Sequence, residues 1–308
     1  MTEAKLFEAH RAHLLGLAYR MLGEMAAAED VVQEAWLRWN GADRAAIRDA
    51  RAWLSTVSVR LALDALRSAR ARRESYVGSW LPEPILPDDV RAFAADLPSA
   101  HAELASDLSL ALLFVLERLT PEERAAFILH DAFDCEYATI AAMLDKSEAA
   151  CRKLVSRARE RVRRDHPRRS VSDDQHRALL ARFAEATATQ DADALAKLFA
   201  PDIVFYSDGG GRVPAALNPI FGTEKVQRLI LGLMRKSDSP GNAALAPVEL
   251  NGRPGLVVGV DGRVFSALDI ETDGERITAV YLVRNPDKLA RLGSALRRSS
   301  VSGSSEPA

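Results

Sequence analysis

Three dipeptides, Asn251-Gly252, Asp261-Gly262 and Asp273-Gly274, stand ten and twelve residues apart between runs rich in Val, Ile, Leu and Phe. Asn-Gly and Asp-Gly supply the positive φ angles that two-residue hairpin turns demand. Four runs (AALAPVEL, PGLVVGV, RVFSALDIE and RITAVYLV) are thereby joined in order, and an antiparallel meander is expected. Helical periodicity precedes it at 174–200, with a break near Gln190-Asp191, and again at 223–236. This part of the chain reads as α+β, with a domain over 173–292 and a mobile tail over 293–308.

The first half has a different texture. Apolar residues such as Leu6, Leu14, Leu17, Ala18, Met21 and Leu22 recur at three- and four-residue spacing, and Gly23 ends that helix. In AAAEDVVQEAWLRWN, Val31, Val32, Ala35, Trp36 and Trp39 form one face, with Asp30, Gln33, Glu34 and Arg38 off it. ARAWLSTVSVRLALDALRSARARR is apolar at first and arginine-dense later. Further on, Thr120-Pro121-Glu122-Glu123 is a helix start, with Thr as N-cap and Pro at the first helical position. A short helix around Tyr137 to Leu144, a three-residue turn and a longer helix from Ser147 then make a helix-turn-helix plan. Cys151, Leu154, Val155, Ala158 and Val162 face inward on that last helix.

With 308 residues, 48% hydrophobic and 27% charged, the chain is long enough for several folded units and far from the composition of disorder. Its longest apolar run, Leu110 to Leu116, falls well short of the roughly 20 residues that cross a bilayer. MTEAKLFEAHR lacks the apolar stretch of a signal peptide, so a cytoplasmic location without membrane contact is expected. Cys135 and Cys151 have no CxxC or histidine cluster beside them, so neither a disulfide framework, a metal site nor any other cofactor is expected.

Net charge is −2, but its distribution is uneven. Arg44 to Arg73 carries eight arginines against Asp49 and Asp64, and Arg152 to Arg169 carries nine basic residues against Glu160 and Asp165. Leu81 to Asp107 between them holds six acidic residues and one arginine. Two basic modules around an acidic stretch indicate two contacts with a polyanion, since clustered Lys and Arg displace condensed counterions from phosphates. Pro82, Pro84, Pro87 and Pro98 mark residues 75–103 as a connector that does not sustain a helix. The Trp, Leu and Ile of SWLPEPILP nevertheless call for a cover.

EDVVQEAWLRW with ARAWLSTVSVRLALDALRSARARRE resembles region 2 of bacterial extracytoplasmic-function sigma factors. LTPEERAAFILHDAFDCEYATIAAMLDKSEAACRKLVSRARERVR resembles their region 4. The resemblance covers roughly the first 165 residues in the family's order, giving an all-helical region 2 at 1–74, the linker at 75–103 and region 4 at 104–167. The remainder resembles a SnoaL-like domain of the NTF2-like superfamily, a curved sheet wrapped by helices into a cone. WLPEP at Trp80-Leu81-Pro82-Glu83-Pro84, DGGGR at Asp208-Gly209-Gly210-Gly211-Arg212 and NPDKL beginning Asn285-Pro286-Asp287 resemble three pentapeptides of the SigJ-like subgroup that carries this extension.

The resemblance implies binding to core RNA polymerase, through the clamp of its largest subunit and its flap, and recognition of promoter DNA at −10 and −35 elements. It places Asp30, Gln33, Glu34 and Arg38 against the clamp. The loop Asn40 to Arg48 is the candidate for holding a flipped base, with Arg44 and Arg48 on the strand's phosphates and Arg51, Arg60, Arg67 and Arg70 at the duplex edge. Many relatives carry asparagine where Arg60 stands, so no base-specific role is carried over to it. In region 4, Ser147 caps the recognition helix, and Glu148, Arg152 and Lys153 lie where base edges are read. Ser156, Arg157 and Arg159 are placed further along, on phosphates.

The three pentapeptides are expected to meet in a regulatory contact between linker and C-terminal domain, with Arg212 pairing with Glu83. Three consecutive glycines exceed what a turn requires and permit close backbone approach. SnoaL-like relatives include cyclases and isomerases. From Arg177 to Ala308, however, there is neither histidine nor cysteine, which leaves Asp202 or Asp269, beside Tyr206 or Tyr281, as a general base with no paired spacing to support it. The chain is therefore expected not to be an enzyme, and the cone leaves room for a small ligand of unknown identity. The competing readings are an enzyme fused to a DNA-tethering module and a ligand-sensing repressor that binds promoter duplex without polymerase.

Overall fold

The computed structural model describes residues 3–73, 76–95, 107–166, 171–237, 244–260 and 263–302. The chain divides into two compact units, one of Met1–Ser75, Asp88–Leu108 and Leu112–Pro167, the other of Tyr76–Pro87, Ser109–Ala111 and Arg168–Ala308.

The first unit is helical: α1 (Glu3–Leu22), α2 (Met25–Gly41), a 3₁₀ turn at Arg44–Ala46, α3 (Ala50–Arg73), α4 (Pro87–Ala94), α5 (Leu110–Leu116), α6 (Pro121–Phe127), α7 (Tyr137–Leu144) and α8 (Glu148–Asp165), with Pro87 and the first residues of α5 counted in the second unit. A widened π turn at Ile128–Ala132 follows α6. Leu14, Leu17, Tyr19 and Met21 of α1 are sealed from solvent together with Val32, Ala35 and Trp39 of α2 and Leu54, Val59 and Ala62 of α3. Trp36 meets Phe7 edge to face at 4.8 Å, and Trp39 meets Trp53 at 5.7 Å, which makes these tryptophans packing residues. The start of α6 is a complete capping box, Thr120 accepting from the Glu123 amide and Glu123 from the Thr120 amide. Cys151 is buried in α8, whereas Cys135 sits in the turn before α7, its thiol pushed up to about 11 by burial.

The connector expected at 75–103 is not a single helix-free spacer. Tyr76–Pro87 is part of the second unit, and Pro87–Ala94 is helical. Pro87 opens α4, where its missing N–H is no loss, and Asp88 and Asp89 complement the helix dipole in the first turn. Phe93 anchors it, buried against Gly16 and 5.8 Å from the Tyr19 ring. Residues 96–106 lie outside the described residues.

The second unit contains α9 (Asp173–Ala188), α10 (Ala192–Leu198), β1 (Phe199–Asp208), β2 (Ile220–Phe221), α11 (Thr223–Ser237), β3 (Ala244–Leu250), β4 (Arg253–Val260), β5 (Arg263–Thr272), β6 (Ile277–Val283) and α12 (Pro286–Ser302). The strands form one sheet in the order β2-β1-β6-β5-β4-β3. β3 to β6 are the antiparallel meander, and Asn251 and Gly252 take φ of 54° and 81° in its first turn. The second turn, Asp261-Gly262, lies outside the described residues.

β1, of which only Phe199 and Ala200 fall in the stretch expected to be helical, runs parallel to β6. Pro201 falls where the register with β6 shifts, between Phe199 and Val204, so the amide it lacks removes no regular ladder bond. One sheet face carries Ile203, Phe205, Leu256, Leu268, Ile270, Val280 and Leu282, buried with Leu179, Leu180, Phe183, Leu195, Leu198, Val226 and Ile230 of α9 to α11. This mixed helix-and-sheet arrangement is the α+β architecture expected of the second half. α12 packs against β5, with Leu289 and Leu292 buried. It runs to Ser302, so the tail expected from 293 is helical over most of its length, the Ala, Leu and Arg of SALRR favouring continuation.

Candidate functional site

In the first unit, the residues assigned to the clamp lie along α2. Asp30, Gln33 and Arg38 are exposed and Glu34 is half-exposed, with an ion pair of 3.0 Å between Glu34 and Arg38. Leu37, 56% exposed on the same helix, is an apolar residue beside them that a search for charge passes over.

The loop between α2 and α3 is held by two aspartates. Asp43 accepts from the Ala45 amide at 3.2 Å, and Asp49 accepts from the Ala52 amide at 3.0 Å, capping α3. Arg48 is exposed, and Arg51 lies 3.2 Å from His13 Nδ1. The side chains of Arg44 and Arg70 lie outside those described.

Arg60 and Arg67, expected at a duplex edge, are both engaged within the first unit. Arg60 donates to the carbonyls of Met143 at 3.2 Å and Ala142 at 3.1 Å, at the C-terminal end of α7, where unpaired carbonyls attract a cation. Arg67 pairs with Glu122 of α6 at 2.8 Å, and this partner holds the Glu122 carboxyl below its ordinary range. Nearby, buried Arg124 donates to the Arg20 carbonyl at 3.0 and 3.2 Å and pairs with Glu117. Burial pulls the Arg124 guanidinium down to about 9, still charged at neutral pH. Periodicity could not reveal the contacts of Arg60 and Arg67 or the bonds from Arg124 to Arg20, since they join residues 55 to 104 positions apart.

On α8, Ser147 accepts from the Ala150 amide at 3.2 Å as the N-cap. Arg152 lies 5.1 Å above the Tyr137 ring and pairs with Glu148 at 2.7 Å, so its guanidinium is held from two sides. A groove of about 570 Å³ is lined by Tyr137, Arg152, Ser156, Arg159, Glu160, Arg163 and Arg164. Lys153 and Arg157 are exposed beside it. Arg159, expected on phosphates, closes its guanidinium on both oxygens of buried Asp131 at 2.5 to 3.1 Å. Arg163 was missed, although its spacing from Arg152, Ser156 and Arg159 puts it on their stripe.

The pentapeptides converge within the second unit. Asp208, sealed from solvent at the end of β1, accepts from the Tyr76 hydroxyl at 2.6 Å, the Gly210 amide at 3.0 Å, the Leu81 amide at 2.9 Å and Lys288 Nζ at 2.8 Å. Lys288 also donates to the Leu81 carbonyl and lies 4.0 Å from the Trp80 ring centroid. Asn285 donates to the Tyr76 hydroxyl at 3.1 Å and accepts from the Asp287 amide. Ile85 and Asn251 bond reciprocally, amide to side-chain oxygen at 3.1 Å and amide to carbonyl at 2.9 Å. Leu81, Pro82, Glu83, Pro84 and Ile85 are all buried.

Gly210 has φ of 61°, and a Cβ there would stand 2.4 Å from Asn285 Nδ2; a Cβ on Gly209 would strike the Val213 carbonyl. Arg212 pairs with Asp287 at 3.3 Å, not with Glu83. Sequence reasoning missed Tyr76, Lys288 and Asn251, the first and last of which lie outside the pentapeptides.

The general-base candidates are separated. Asp202 is exposed, whereas Asp269 is buried, and Tyr206 stacks on Tyr281 at 5.4 Å. Asp269 is paired in register with Tyr281 and lies 4.0 Å from His176 of α9, one residue before the histidine-free stretch. His176 Nε2 engages the Pro254 carbonyl at 3.0 Å, and burial pushes its pKa down. Among the described residues there is no cluster of three metal-ligating side chains and no helix long and apolar enough to cross a membrane.

Residues 6–72 match the family described as Sigma-70 region 2, and residues 109–162 match Sigma-70, region 4. The ECF RNA polymerase sigma factor SigJ of Mycobacterium tuberculosis (strain ATCC 25618 / H37Rv) is 43% identical over 305 residues, covering 96% of this chain and 95% of the relative. The chain belongs to the ECF RNA polymerase sigma factors. The crystal structure of Mycobacterium tuberculosis SigJ superposes on this sigma factor with a TM-score of 0.72 at 38% identity, covering 95% of this chain and 99% of that one. SigG of the same organism is 29% identical, covering 80% of this sigma factor and 70% of the relative.

Proposed function

We propose that this sigma factor binds core RNA polymerase, directs it to promoters, and is regulated by its C-terminal domain through the linker. The observation that carries the regulatory part is the buried Asp208–Lys288 pair, which fixes Tyr76, Trp80 and Leu81 in the second unit. The stretch between the two DNA-reading regions is thereby tied to a separate domain, and loosening it shifts the population of arrangements available to polymerase.

Asp30, Gln33, Glu34 and Arg38, with Leu37, form the clamp contact. Arg48 and Arg51 face the opened −10 element, and α8 reads the −35 element through Glu148, Arg152 and Lys153, with Ser156 and Arg157 on phosphates. The partners are core polymerase, through clamp and flap, and promoter DNA, met in the cytoplasm. The second unit is read as a non-enzyme: His176 and Asp269 are each 1% exposed, closed to a substrate, and His176 Nε2 is engaged with a backbone carbonyl.

The deciding experiment adds core polymerase to a promoter library and sequences the transcripts, with Trp80→Ala and Gly210→Val beside the parent. Both variants are expected to change output in the same direction, with a non-additive double variant. Unchanged output from both at normal protein level would overturn the regulatory reading, and promoter binding that ignores polymerase would favour a repressor.

A further inference from the structure

On the sheet face opposite α9 to α11, a cavity of about 350 Å³ lies between α12 and the start of β5. Its walls are Val213, Val264, Phe265, Pro286 and Leu289, interrupted by two guanidiniums, Arg263 and Arg284. Arg284 is half-buried and donates to the Pro214 carbonyl. Among the described residues neither arginine has a carboxylate within ion-pair distance. Burial pulls the Arg284 guanidinium below its ordinary value, with no acidic neighbour opposing the shift. Arg263 lies 5.6 Å from the Phe265 ring centroid, and that ring is 43% exposed.

An apolar hollow with two unneutralised guanidiniums is complementary to one charge on an apolar body. We infer that this cavity binds a carboxylate carrying an aliphatic chain or aromatic ring. A guanidinium has five N–H donors in a planar fork, so Arg284 retains donors for a carboxylate after serving Pro214. The ligand's apolar part covers the exposed Phe265 ring, removing that surface from water. At the ~30 Å³ that one water occupies, the cavity holds about ten non-hydrogen atoms, the size of octanoate.

The test is calorimetric titration of the full chain with sodium octanoate, octan-1-ol and sodium acetate. Octanoate is expected to bind saturably, octanol about ten-fold or more weakly because it lacks the charge, and acetate not at all. Arg284→Gln and Arg263→Gln remove charge, and Ala290→Phe fills the hollow from the exposed side of α12. Each is expected to weaken octanoate about ten-fold, with thermal melting confirming that it folds. Absence of saturable octanoate binding, equal affinity for octanol and octanoate, or wild-type affinity in Ala290→Phe together with either folded arginine variant would overturn the proposal.

Discussion

Lys288 Nζ and Asp208 Oδ2 meet at 2.8 Å with side-chain exposures of 5% and 0%, a buried ion pair whose carboxylate also receives donors from Tyr76, Leu81 and Gly210. A buried carboxylate that loses its cation keeps its desolvation cost. Lys288→Met is therefore expected to destabilise the second unit by about 3 kcal/mol, the low end for a broken buried pair because three donors remain. Urea denaturation of the full chain measures this, and Asp208→Leu combined with Lys288→Met is expected to cost less than the two single effects added together.

His176 supplies a pH dependence. Its pKa in the folded chain lies below the ordinary 6.5, chiefly through burial and secondarily through Arg253. The unfolded chain takes up this proton first as pH falls, so the contribution is present above the unfolded value and is lost as pH falls through the folded one. Second-unit stability should drop as pH is lowered below the ordinary histidine value of 6.5, and His176→Asn should flatten part of that slope. Identical pH profiles for variant and parent would remove His176 from the account.

Arg60 ties α3 to the end of α7 through two carbonyl bonds. Each such bond contributes about 0.5–1.5 kcal/mol, so Arg60→Ala should let these helices separate more readily. Faster hydrogen exchange in α7 and a higher affinity for core polymerase are the expected results. Lower affinity with unchanged exchange would assign Arg60 to DNA or polymerase instead.

Tyr137 positions Arg152. Arg152→Ala should cost about 1–3 kcal/mol at a matched −35 element and relax preference there. Tyr137→Leu should reduce discrimination more than overall affinity, because it frees the guanidinium without removing it. Arg157→Ala should instead weaken all sequences alike and lower the salt slope. Equal losses on every sequence for all three variants would end the base-reading role of Arg152.

What the sequence disclosed depended on how locally each feature is encoded. Thr120 with Glu123 and Ser147 with Ala150 are three residues apart, and both caps form. Asn251-Gly252 makes its turn because the conformation is intrinsic to that dipeptide. β1 escaped notice because Pro201 and Asp202 stand within its first four residues, and its strand character rests on pairing with β6 nearly 80 residues later. α4 escaped because Pro87 was read as a breaker when it stands at a first helical position. Arg212 took Asp287 in place of Glu83, a choice made by the turn of the three glycines and beyond the reach of charge counting.

Tyr76 to Ile85 complete a domain whose remaining residues are translated much later. The ribosome adds roughly 200 residues between Ile85 and Lys288, which at about 5–20 residues per second takes roughly 10–40 s. Leu81 and Ile85, fully withdrawn from water in the finished chain, have no complete seat until Lys288 is made, whereas the first unit is fully translated at Pro167, roughly 120 residues earlier. Each newly made sigma factor thus passes through a nascent stage in which its DNA-reading helices are complete and its linker is still unmoored.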